Sequence, residues 1–483
     1  MSLSTADTQP SAEQTINATS KANDAARLPG ARTHYSDFFS DIVKRMKPSP
    51  IHSLLHLEHH IPKPISLLAG KPNPAMFPFA GSMSWTSRDP HNPEKIETLT
   101  MDEDLLKLGL NYSETPGLLQ MRQFLEEMQE DEHGRLKEEE GWRVTVGPGS
   151  QDLISKAVTA LLNPGDSMLV ESPTYAGIMP MFRQLQPEFI CIPSDAHGLL
   201  TDKLREVLKG WPSDKPRPKL IYTIPYGSNP SGFSATLERR TELLKLAYEH
   251  NFLILEDDPY YNLYYGSSPR YPSYFSLEKS LGLLDTAPDT PKDLLRVNTG
   301  GRVIRFDSFS KVLSAGLRLG FVTGPAPVLD AIDKQTSAAS LEPSTLTQTI
   351  ALTILRSWGR EGYKAHTTNV AAFYRSKRDT CERLLAQYLG KDGLATWDTP
   401  EAGMFMWFKL HLHPGMDVES DTEDFIRRKA VEKGVLALPG SMFLPEGGKS
   451  AYVRLSFSVV PENVLEEAMR RLRALVIEAR GEA

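Results

Sequence analysis

A lysine, a carboxylate and an amide each follow a short apolar run, at the point where a parallel strand would end. Lys311 comes shortly after the run Val303–Phe306, Asp257 comes after Phe252–Leu255, and Asn229 comes after the run before that. Asn229 and Asp257 are separated by about one βα unit. Since ligands of parallel α/β sheets bind beyond the carboxyl ends of the strands, we expect all three groups to lie at one sheet edge.

The same stretches also supply a tyrosine, Tyr260, and an arginine, Arg318. Pyridoxal phosphate requires this set of residue types. Its aldehyde forms a Schiff base with a lysine amine, its ring nitrogen must stay protonated beside a carboxylate, and its phosphate needs an arginine with hydroxyl or backbone donors. Taken singly, each residue has a simpler interpretation: Lys311 as a solvated lysine, Asp257 and Asn229 as turn residues near a proline. Their order and spacing together favour the cofactor site.

Hydrophobic periodicity predicts the elements that would position these residues. Between about residues 100 and 365, short apolar runs alternate with segments of helical period, which predicts βαβ units and a mostly parallel sheet. The segment Thr236–Asn251 carries its apolar residues largely on one stripe and is predicted to be a crossover helix. The predicted strands are Ser167–Val170, Lys219–Ile224, Phe252–Leu255, Val303–Phe306 and Leu319–Thr323.

Composition divides the chain into a disordered tail, a large α/β domain and a smaller α+β domain built from both termini. Near the C-terminus, Ala451–Ser458 alternates as a strand, and Pro461 opens a last helix. The Pro-containing segment Ser267–Gly300 is predicted to be a surface insertion. The predicted boundaries are 1–34 for the tail, 35–98 and 366–483 for the two parts of the small domain, and 99–365 for the large domain.

Overall composition is that of an ordinary globular protein. The 483 residues carry 54 Lys+Arg against 61 Asp+Glu, a net charge of −7, and 40% of them are hydrophobic. The mildly acidic balance gives no electrostatic reason to expect nucleic acid binding, and no run approaches the roughly 18 apolar residues of a membrane helix. Residues 1–34 lack the apolar stretch of a secretory signal, and Cys191 and Cys381 form no C-x-x-C pattern. We therefore expect no disulfide framework, no metal site and a cytoplasmic location.

Five stretches of the sequence resemble one enzyme family. DSFSKVLSAGLRLGFVTGP (Asp307–Pro325), PYGSNPSG, LILEDDPYY, ESPTYAG and VGPGSQD are similar to motifs of the class I/II aminotransferases, of pyridoxal-phosphate fold type I. More narrowly, the chain resembles the branch of kynurenine/2-aminoadipate and fungal aromatic amino-acid aminotransferases, from about Pro48 to the last helix. The resemblance implies a fold type I aminotransferase of α/β class, with a large domain whose mostly parallel sheet is flanked by helices and a smaller α+β domain.

The resemblance implies a cofactor role for each matching residue. Lys311 matches the Schiff-base lysine, which later moves a proton between the substrate Cα and the cofactor, and Asp257 matches the carboxylate paired with the pyridine nitrogen. Tyr175 matches the aromatic residue that stacks on the ring, a core tyrosine being the alternative. Asn229 and Tyr260 match the donors to the cofactor's 3-oxygen, and Asn229 also borders the substrate. The residues that match the phosphate site are Ser150, Gln151, Ser308, Ser310 and Arg318.

Other matching residues imply a homodimer and a site for the substrate carboxylate. Tyr112 matches the tyrosine that reaches the phosphate of the neighbouring subunit's cofactor. Arg454 matches the arginine that grips the α-carboxylate by a bidentate pair, an exposed edge arginine being the alternative, and Gly70 matches a loop glycine near the same carboxylate. His52 stands where relatives acting on 2-aminoadipate tend to have arginine, and Lys71 where an apolar residue is common. A dicarboxylic donor stays open, since Lys71 or a protonated His52 could substitute.

The function implied is pyridoxal-phosphate-dependent transamination by a ping-pong mechanism. The expected substrates are an aromatic amino acid (Phe, Tyr, Trp or kynurenine), or 2-aminoadipate, and a 2-oxo acid, with 2-oxoglutarate as the expected acceptor. A lyase or decarboxylase using the same Lys311 and Asp257 is one alternative; Arg454 disfavours it, because a salt-bridged α-carboxylate is a poor leaving group. A non-catalytic regulatory protein on this fold is another, but residues 1–34 are too short and polar for a fused DNA-binding domain. A nicotinamide oxidoreductase would need G-x-G-x-x-G, which the sequence lacks.

Overall fold

The computed structural model describes residues 35–47, 72–73, 76–79, 81–284, 301–414 and 420–482. In chain order, the strands are β1 Met83–Arg88, β2 Ile96–Met101, β3 Trp142–Gly147, β4 Ser167–Ser172, β5 Glu188–Asp195, β6 Gly198–Leu199, β7 Leu220–Thr223, β8 Leu253–Asp257, β9 Val303–Ser308, β10 Gly320–Pro325, β11 Ala395–Trp397, β12 Phe405–Leu410, β13 Leu438–Pro439 and β14 Tyr452–Ser456.

The helices alternate with these strands along most of the chain. They are α1 Asp41–Arg45, α2 Glu103–Gly109, α3 Leu119–His133, α4 Lys137–Glu140, α5 Ser150–Leu161, α6 Met179–Arg183, α7 Thr201–Lys209, α8 Leu237–His250, α9 Tyr274–Ser280, α10 Ala326–Ala339, α11 Thr345–Leu385 and α12 Glu462–Ala479, with π-helical turns at Ala386–Gly390 and Phe425–Ala430. Over the part of the chain that is described, none of them is both long and apolar enough to cross a membrane.

Eight strands form one large sheet in the order β3-β10-β9-β8-β7-β4-β5-β6. The five central strands from β9 to β5 are parallel, while β10 runs antiparallel to both β3 and β9, and β6 runs antiparallel to β5. Every residue of β4, β7 and β8 is buried, which is why these strands read as continuous apolar runs rather than as alternating ones. The predicted mostly parallel sheet is confirmed, and all five predicted strands belong to it.

Helices pack against this sheet and bury its apolar side chains. α5 contacts β3, β9 and β10, α10 contacts β3 and β10, and α7 contacts β5. The predicted crossover helix is α8. The hydroxyl of Thr236 accepts a hydrogen bond from the backbone N–H of Arg239 at its start, and Asn251 ends it with a left-handed φ of 57°. The capping residues therefore define the two ends of the same helix that the apolar stripe predicts.

A second, antiparallel sheet has the order β11-β12-β14-β13. Within it, Arg454 on β14 lies opposite Trp407 on β12 and Leu438 on β13. The long helix α11 is interrupted at Gly359, where φ is 61°. It contacts α2 and α3, and it also contacts β12 of the second sheet and α12, which follows that sheet in the chain. It thereby connects the large sheet to the small one. The predicted domain boundaries at residues 98 and 365 stay predictions.

The described N-terminal segment packs on the helices of the large sheet. The backbone N–H of Ser40 donates to the carbonyl of Ala160 on α5 at 2.7 Å, and the Ser40 hydroxyl caps α1. The hydroxyl of Tyr35 donates to the carbonyl of Gly301, just before β9, at 2.6 Å. Residues 35–47 are therefore anchored near the start of a central strand.

The expectation that Ser267–Gly300 is a surface insertion is wrong for its first half. That half contains α9, in which the side chains of Tyr274 and Phe275 are buried. The backbone N–H groups of these two residues donate to the buried carboxylate of Glu256 on β8, at 2.9 and 3.2 Å. The prolines around this short helix conceal its apolar set from a periodicity argument. Most of the second half of the segment lies outside the described residues.

Glu171, on β4, generates a stability prediction. Its buried carboxylate accepts hydrogen bonds from the Thr223 hydroxyl at 2.6 Å and from the Ile224 backbone N–H at 3.3 Å. Burial raises its pKa from 4.5 to about 7, so the folded protein keeps a proton that the unfolded chain releases. The stability from this group is full below about pH 4.5 and is lost as the pH rises to about 7. Glu171→Gln imitates the protonated acid and should increase the free energy of unfolding at pH 8 by about 1–3 kcal/mol, with the gain shrinking toward pH 5.

Urea unfolding of the holoenzyme at pH 8 and pH 5.5 checks this prediction. Glu94→Gln is the matched control, because that carboxylate is exposed and the substitution should leave the midpoint unchanged at both pH values. A Glu171→Gln protein less stable than the parent at pH 8 would contradict the prediction, since it would mean that the fold needs the ionised carboxylate.

Candidate active site

Three neighbouring strands of the large sheet bring the predicted chemical groups together. β7, β8 and β9 are adjacent and parallel. Asn229 follows β7, Asp257 is the last residue of β8, and Lys311 ends a single 3-10 turn, Phe309–Lys311, directly after β9. The expectation that these groups share one sheet edge is confirmed.

Asp257 is a buried carboxylate with one oxygen unsatisfied. Its Oδ2 accepts a hydrogen bond from the Tyr222 hydroxyl at 2.6 Å, while Oδ1 is buried and has no hydrogen-bond partner among the described residues. Burial raises the pKa of Asp257 to about 7, and the Lys311 charge acts in the opposite direction. A buried acceptor without a donor is costly, so this oxygen is suited to receive an N–H from a ligand.

The neighbouring carboxylates are compensated by one arginine. Arg305 on β9 is fully buried, and its guanidinium lies 3.3 Å from Glu256, 2.8 Å from Asp258 and 2.8 Å from Asp307. In the described part of the chain, Asp257 is not part of any salt bridge. It is therefore the carboxylate of this group that a cationic ligand can pair with.

Lys311 is positioned by a local hydrogen bond and by its polar surroundings. The Ser308 hydroxyl accepts from the backbone N–H of Ser310 at 3.2 Å, which starts the 3-10 turn that presents the lysine. Burial lowers the pKa of the half-buried Lys311, the nearby Arg318 charge lowers it further, and Asp257 opposes both. A larger neutral fraction makes the amine a better nucleophile and base.

Several hydrogen-bond donors converge at the start of α5. Ser150 is the first residue of this helix, and the preceding Gly149 has a left-handed φ of 99°. Arg318 approaches so closely that a Cβ on Gly149 would lie 2.6 Å from its Nη2, and a Cβ on Gly320 would lie 2.8 Å from the Ser150 backbone nitrogen. Arg318 Nη1 also donates to the Ser310 hydroxyl at 3.3 Å. Free helix N–H groups, a guanidinium and hydroxyls are the donors that a phosphate needs.

Gln151 follows Ser150 in the first turn of α5. Its side-chain amide donates to the backbone carbonyl of Gly177 at 3.4 Å, which ties the start of α5 to the loop that carries Tyr175.

Burial raises the pKa of the Tyr175 phenol, as the Asp257 charge also does, while Arg454 acts against both. Tyr175 therefore lies within electrostatic range of Asp257 on the large sheet and of Arg454 on the small one.

Arg454 joins the second sheet to the first. Its Nη1 donates to Asn229 Oδ1 at 2.9 Å, and its guanidinium lies over the rings of Phe405, at 4.3 Å, and Phe443, at 5.1 Å. Its Nε is buried without a partner among the described residues, and burial lowers the pKa of the guanidinium. Burial raises the pKa of the nearby Tyr260 phenol, and Arg454 and Asn229 act in the opposite direction. Arg454 is thus half-buried and oriented, with donor capacity left for a carboxylate.

These features fit pyridoxal phosphate. Among the described residues, Asp257 Oδ1 is an unpartnered acceptor for a ring N–H, Lys311 is an amine of lowered pKa, and helix N–H groups, hydroxyls and the Arg318 guanidinium converge at the turn that begins at Ser150. Two predicted substrate residues, His52 and Gly70, lie outside the described residues. Tyr112 lies in the loop between α2 and α3 and is 53% exposed.

Four residues of the site were not predicted from sequence. Tyr222, Phe405 and Phe443 are aromatic residues in apolar surroundings, where nothing in the sequence distinguishes them from core residues. Arg305 did leave a signal, because it interrupts the apolar run Val303–Phe306. An arginine within a fully buried strand must be paired, and its partners had to be nearby carboxylates.

Comparison with known proteins shows which family the chain belongs to. Residues 100–472 match the family model described as aminotransferase class I and II. The aminotransferase tdiD of Emericella nidulans is 40% identical over 439 residues, which cover 91% of this chain and 95% of that protein. The mitochondrial kynurenine/alpha-aminoadipate aminotransferase of Mus musculus is 36% identical over 459 residues, covering 92% and 100%.

A solved structure has the same fold over nearly the whole chain. The crystal structure of the aromatic aminotransferase Aro9 from Candida albicans superposes with a TM-score of 0.74 at 25% identity, covering 92% of this chain and 98% of that one. The large mostly parallel sheet flanked by helices is thus a fold type I aminotransferase sheet.

Proposed function

Because the chain belongs to the class I and II aminotransferases, which use pyridoxal phosphate for transamination, we propose that it takes the amino group from an aromatic amino acid or kynurenine, with 2-aminoadipate as a second donor. The acceptor is a 2-oxo acid, 2-oxoglutarate, and the two half-reactions alternate in a ping-pong cycle. The observation that carries the site assignment is that Oδ1 of buried Asp257 has no hydrogen-bond partner among the described residues, while the Lys311 charge acts on the same carboxylate.

Each residue of the site has a task in this reaction. When bound, pyridoxal phosphate supplies an aldehyde that captures amines and a ring that withdraws electrons. Asp257 accepts the hydrogen bond of the ring nitrogen and keeps its proton in place. Lys311 would hold the cofactor at rest, and its amine would then move a proton from the substrate Cα to the cofactor. Tyr175 would cover the ring, and Asn229 and Tyr260 would donate to the 3-oxygen. The phosphate is anchored by Ser150, Gln151, Ser308, Ser310 and Arg318.

Arg454 is assigned to the substrate α-carboxylate. The hydrogen bond to Asn229 and the packing against the two phenylalanine rings fix the orientation of its guanidinium. Less conformational entropy is therefore lost when a carboxylate binds. A carboxylate held by this arginine is a poor leaving group, which favours transamination over decarboxylation. Gly70 and His52 are proposed to border the same substrate.

A homodimer completes the proposal. Tyr112 is exposed and is assigned to the phosphate of the neighbouring subunit's cofactor. The next residue, Ser113, donates its backbone N–H to the Glu342 carboxylate at 3.0 Å, which places the exposed Leu341 on the same surface. An exposed aromatic residue beside an exposed leucine suits a protein interface.

The cytoplasm is the proposed location. Cys191 and Cys381 are both free thiols, as expected in a reducing compartment. The mouse relative is named as mitochondrial, so the mitochondrion is the other compartment to be considered.

Replacement of Lys311 tests the function. Lys311→Ala should reduce transamination at least about 10⁴-fold, because the variant loses both the anchoring amine and the proton-transfer group. The measurement is the absorbance change of the holoenzyme when phenylalanine, kynurenine or 2-aminoadipate is added, with mass spectrometry of the 2-oxo acid formed. The fastest donor identifies the substrate class.

Lys209→Ala, on an exposed lysine at the end of α7, is the control and should keep full activity. Substantial transamination by Lys311→Ala would overturn the assignment of the lysine. Release of CO2 without a 2-oxo acid from the parent enzyme would instead indicate a decarboxylase, and binding of cofactor without turnover of any donor would indicate a regulatory protein.

Arg454→Lys tests the carboxylate site. Lysine keeps the charge but loses the fork of two parallel N–H groups, so kcat/KM for an aromatic amino acid should fall about tenfold to a hundredfold. Slow turnover of phenethylamine, which has no carboxylate, should not fall. Arg428→Lys, in an exposed pair with Asp424, serves as the control. Equal losses with both substrates would place Arg454 outside carboxylate binding.

Tyr112→Phe tests the dimer. Light scattering should give the mass of two chains for both the parent and the variant. The dissociation constant for pyridoxal phosphate should rise about tenfold in the variant, because one hydrogen bond to the phosphate is lost. A monomeric parent at micromolar concentration, or unchanged cofactor affinity in the variant, would contradict the assignment.

A further inference from the structure

We propose that Tyr222 is a positioning residue of the reaction: its hydroxyl holds the Asp257 carboxylate so that the second oxygen receives the ring nitrogen of the cofactor, and it stabilises the negative charge there. This inference rests on the proposed function. It concerns a residue on β7 that no sequence motif distinguishes.

The contact is buried and geometrically fixed. Tyr222 is opposite Leu255 in the parallel pair of β7 and β8, so Asp257, two residues further on, is its diagonal neighbour on the same face of the sheet. The Tyr222 hydroxyl lies 2.6 Å from Asp257 Oδ2, and both residues are buried. The Tyr222 ring packs edge-on against Phe182, with ring centroids 5.2 Å apart. The hydroxyl therefore has little freedom to leave the carboxylate.

The hydrogen bond selects which oxygen is available. It occupies Oδ2 and leaves Oδ1 buried without a partner among the described residues. A carboxylate free to rotate could present either oxygen to a ligand, but a carboxylate anchored through one oxygen presents the other in one orientation. This is the way an outer hydrogen bond orients a group that itself contacts a ligand.

A neutral donor is chemically appropriate at this position. Arg305 pairs with Glu256, Asp258 and Asp307, and a cation on Asp257 would likewise cancel the charge that attracts a protonated ring. A phenol stabilises the carboxylate without cancelling that charge. The pKa of Tyr222 is raised far above its usual value by burial and by the Asp257 charge, so the hydroxyl stays protonated and donates throughout the working pH range.

Tyr222→Phe removes the hydroxyl and keeps the ring that packs on Phe182. Without the hydrogen bond, the dissociation constant for pyridoxal phosphate should rise about tenfold, as measured by titrating the apoenzyme. The pH midpoint of the holoenzyme's visible absorbance change should shift upward by about one unit, because a ring that loses its proton carries less positive charge. The kcat of the half-reaction should fall more than KM rises.

A cofactor analogue separates positioning from general damage. The analogue has a C–H group in place of the ring nitrogen, so it cannot donate to Asp257. The parent protein should bind pyridoxal phosphate more tightly than this analogue, and Tyr222→Phe should reduce that ratio about tenfold. A merely structural role would weaken the binding of both compounds equally.

Tyr226→Phe is the matched control. Tyr226 is also buried, and its hydroxyl has no hydrogen-bond partner among the described residues, so its removal should change neither the ratio nor the pH midpoint. An unchanged ratio in Tyr222→Phe would overturn the inference on its own. If the parent bound pyridoxal phosphate and the analogue equally, or failed to bind either, the proposed function of Asp257 would fail first.

Discussion

The charge balance at the carboxyl ends of β8 and β9 is the constraint on which the site depends. Glu256, Asp257, Asp258 and Asp307 are all buried there, and the guanidinium of Arg305 pairs with every one of them except Asp257. Buried carboxylates of this number persist only when they are compensated. Arg305 therefore stabilises the strand ends and, by the same contacts, leaves Asp257 as the carboxylate that we propose is compensated by the cofactor's cationic ring. Fold stability and cofactor binding have a common electrostatic origin here.

The contact between the two sheets lies beside the groups assigned to the cofactor and to the substrate. Asn229 follows β7 of the large sheet and accepts a hydrogen bond from Arg454 on β14 of the small sheet. It also lies near the phenol of Tyr260, whose pKa it lowers against the larger effect of burial. One amide thereby connects the group assigned to the substrate carboxylate with the groups assigned to the cofactor's 3-oxygen. Because Arg454 is held on the other side by the rings of Phe405 on β12 and of Phe443, at the end of the 3-10 turn Gly440–Phe443, a shift of the small sheet would move the carboxylate site as a unit.

Sequence patterns predicted the elements that depend on local or repeating sequence. They did not predict contacts between residues that are far apart in the chain. The central strands, α8 and the common sheet edge followed from apolar runs and their spacing. The hydrogen bond between Tyr222 and Asp257 joins residues 35 apart on neighbouring strands, so it depends on register, which no single segment encodes. α9 was missed for a related reason: Glu256, on a different element, accepts the N–H groups at its start. Arg305 could have been predicted as a paired charge, but the choice of its partners could not.

Two carboxylates of this protein show that a raised pKa does not by itself identify a catalytic group. Burial raises the pKa of both Glu171 and Asp257 to about 7. Glu171 accepts hydrogen bonds from Thr223, the last residue of the neighbouring strand β7, and from Ile224 directly after it, so its contacts stabilise the sheet. Among the described residues, Asp257 has a single donor, an oxygen without a partner and a lysine whose charge acts on it, and it stands at the last position of its strand. The distinction between a structural and a functional carboxylate is thus made by the hydrogen bonds that remain unfilled, and these can be counted only once the strands are in register.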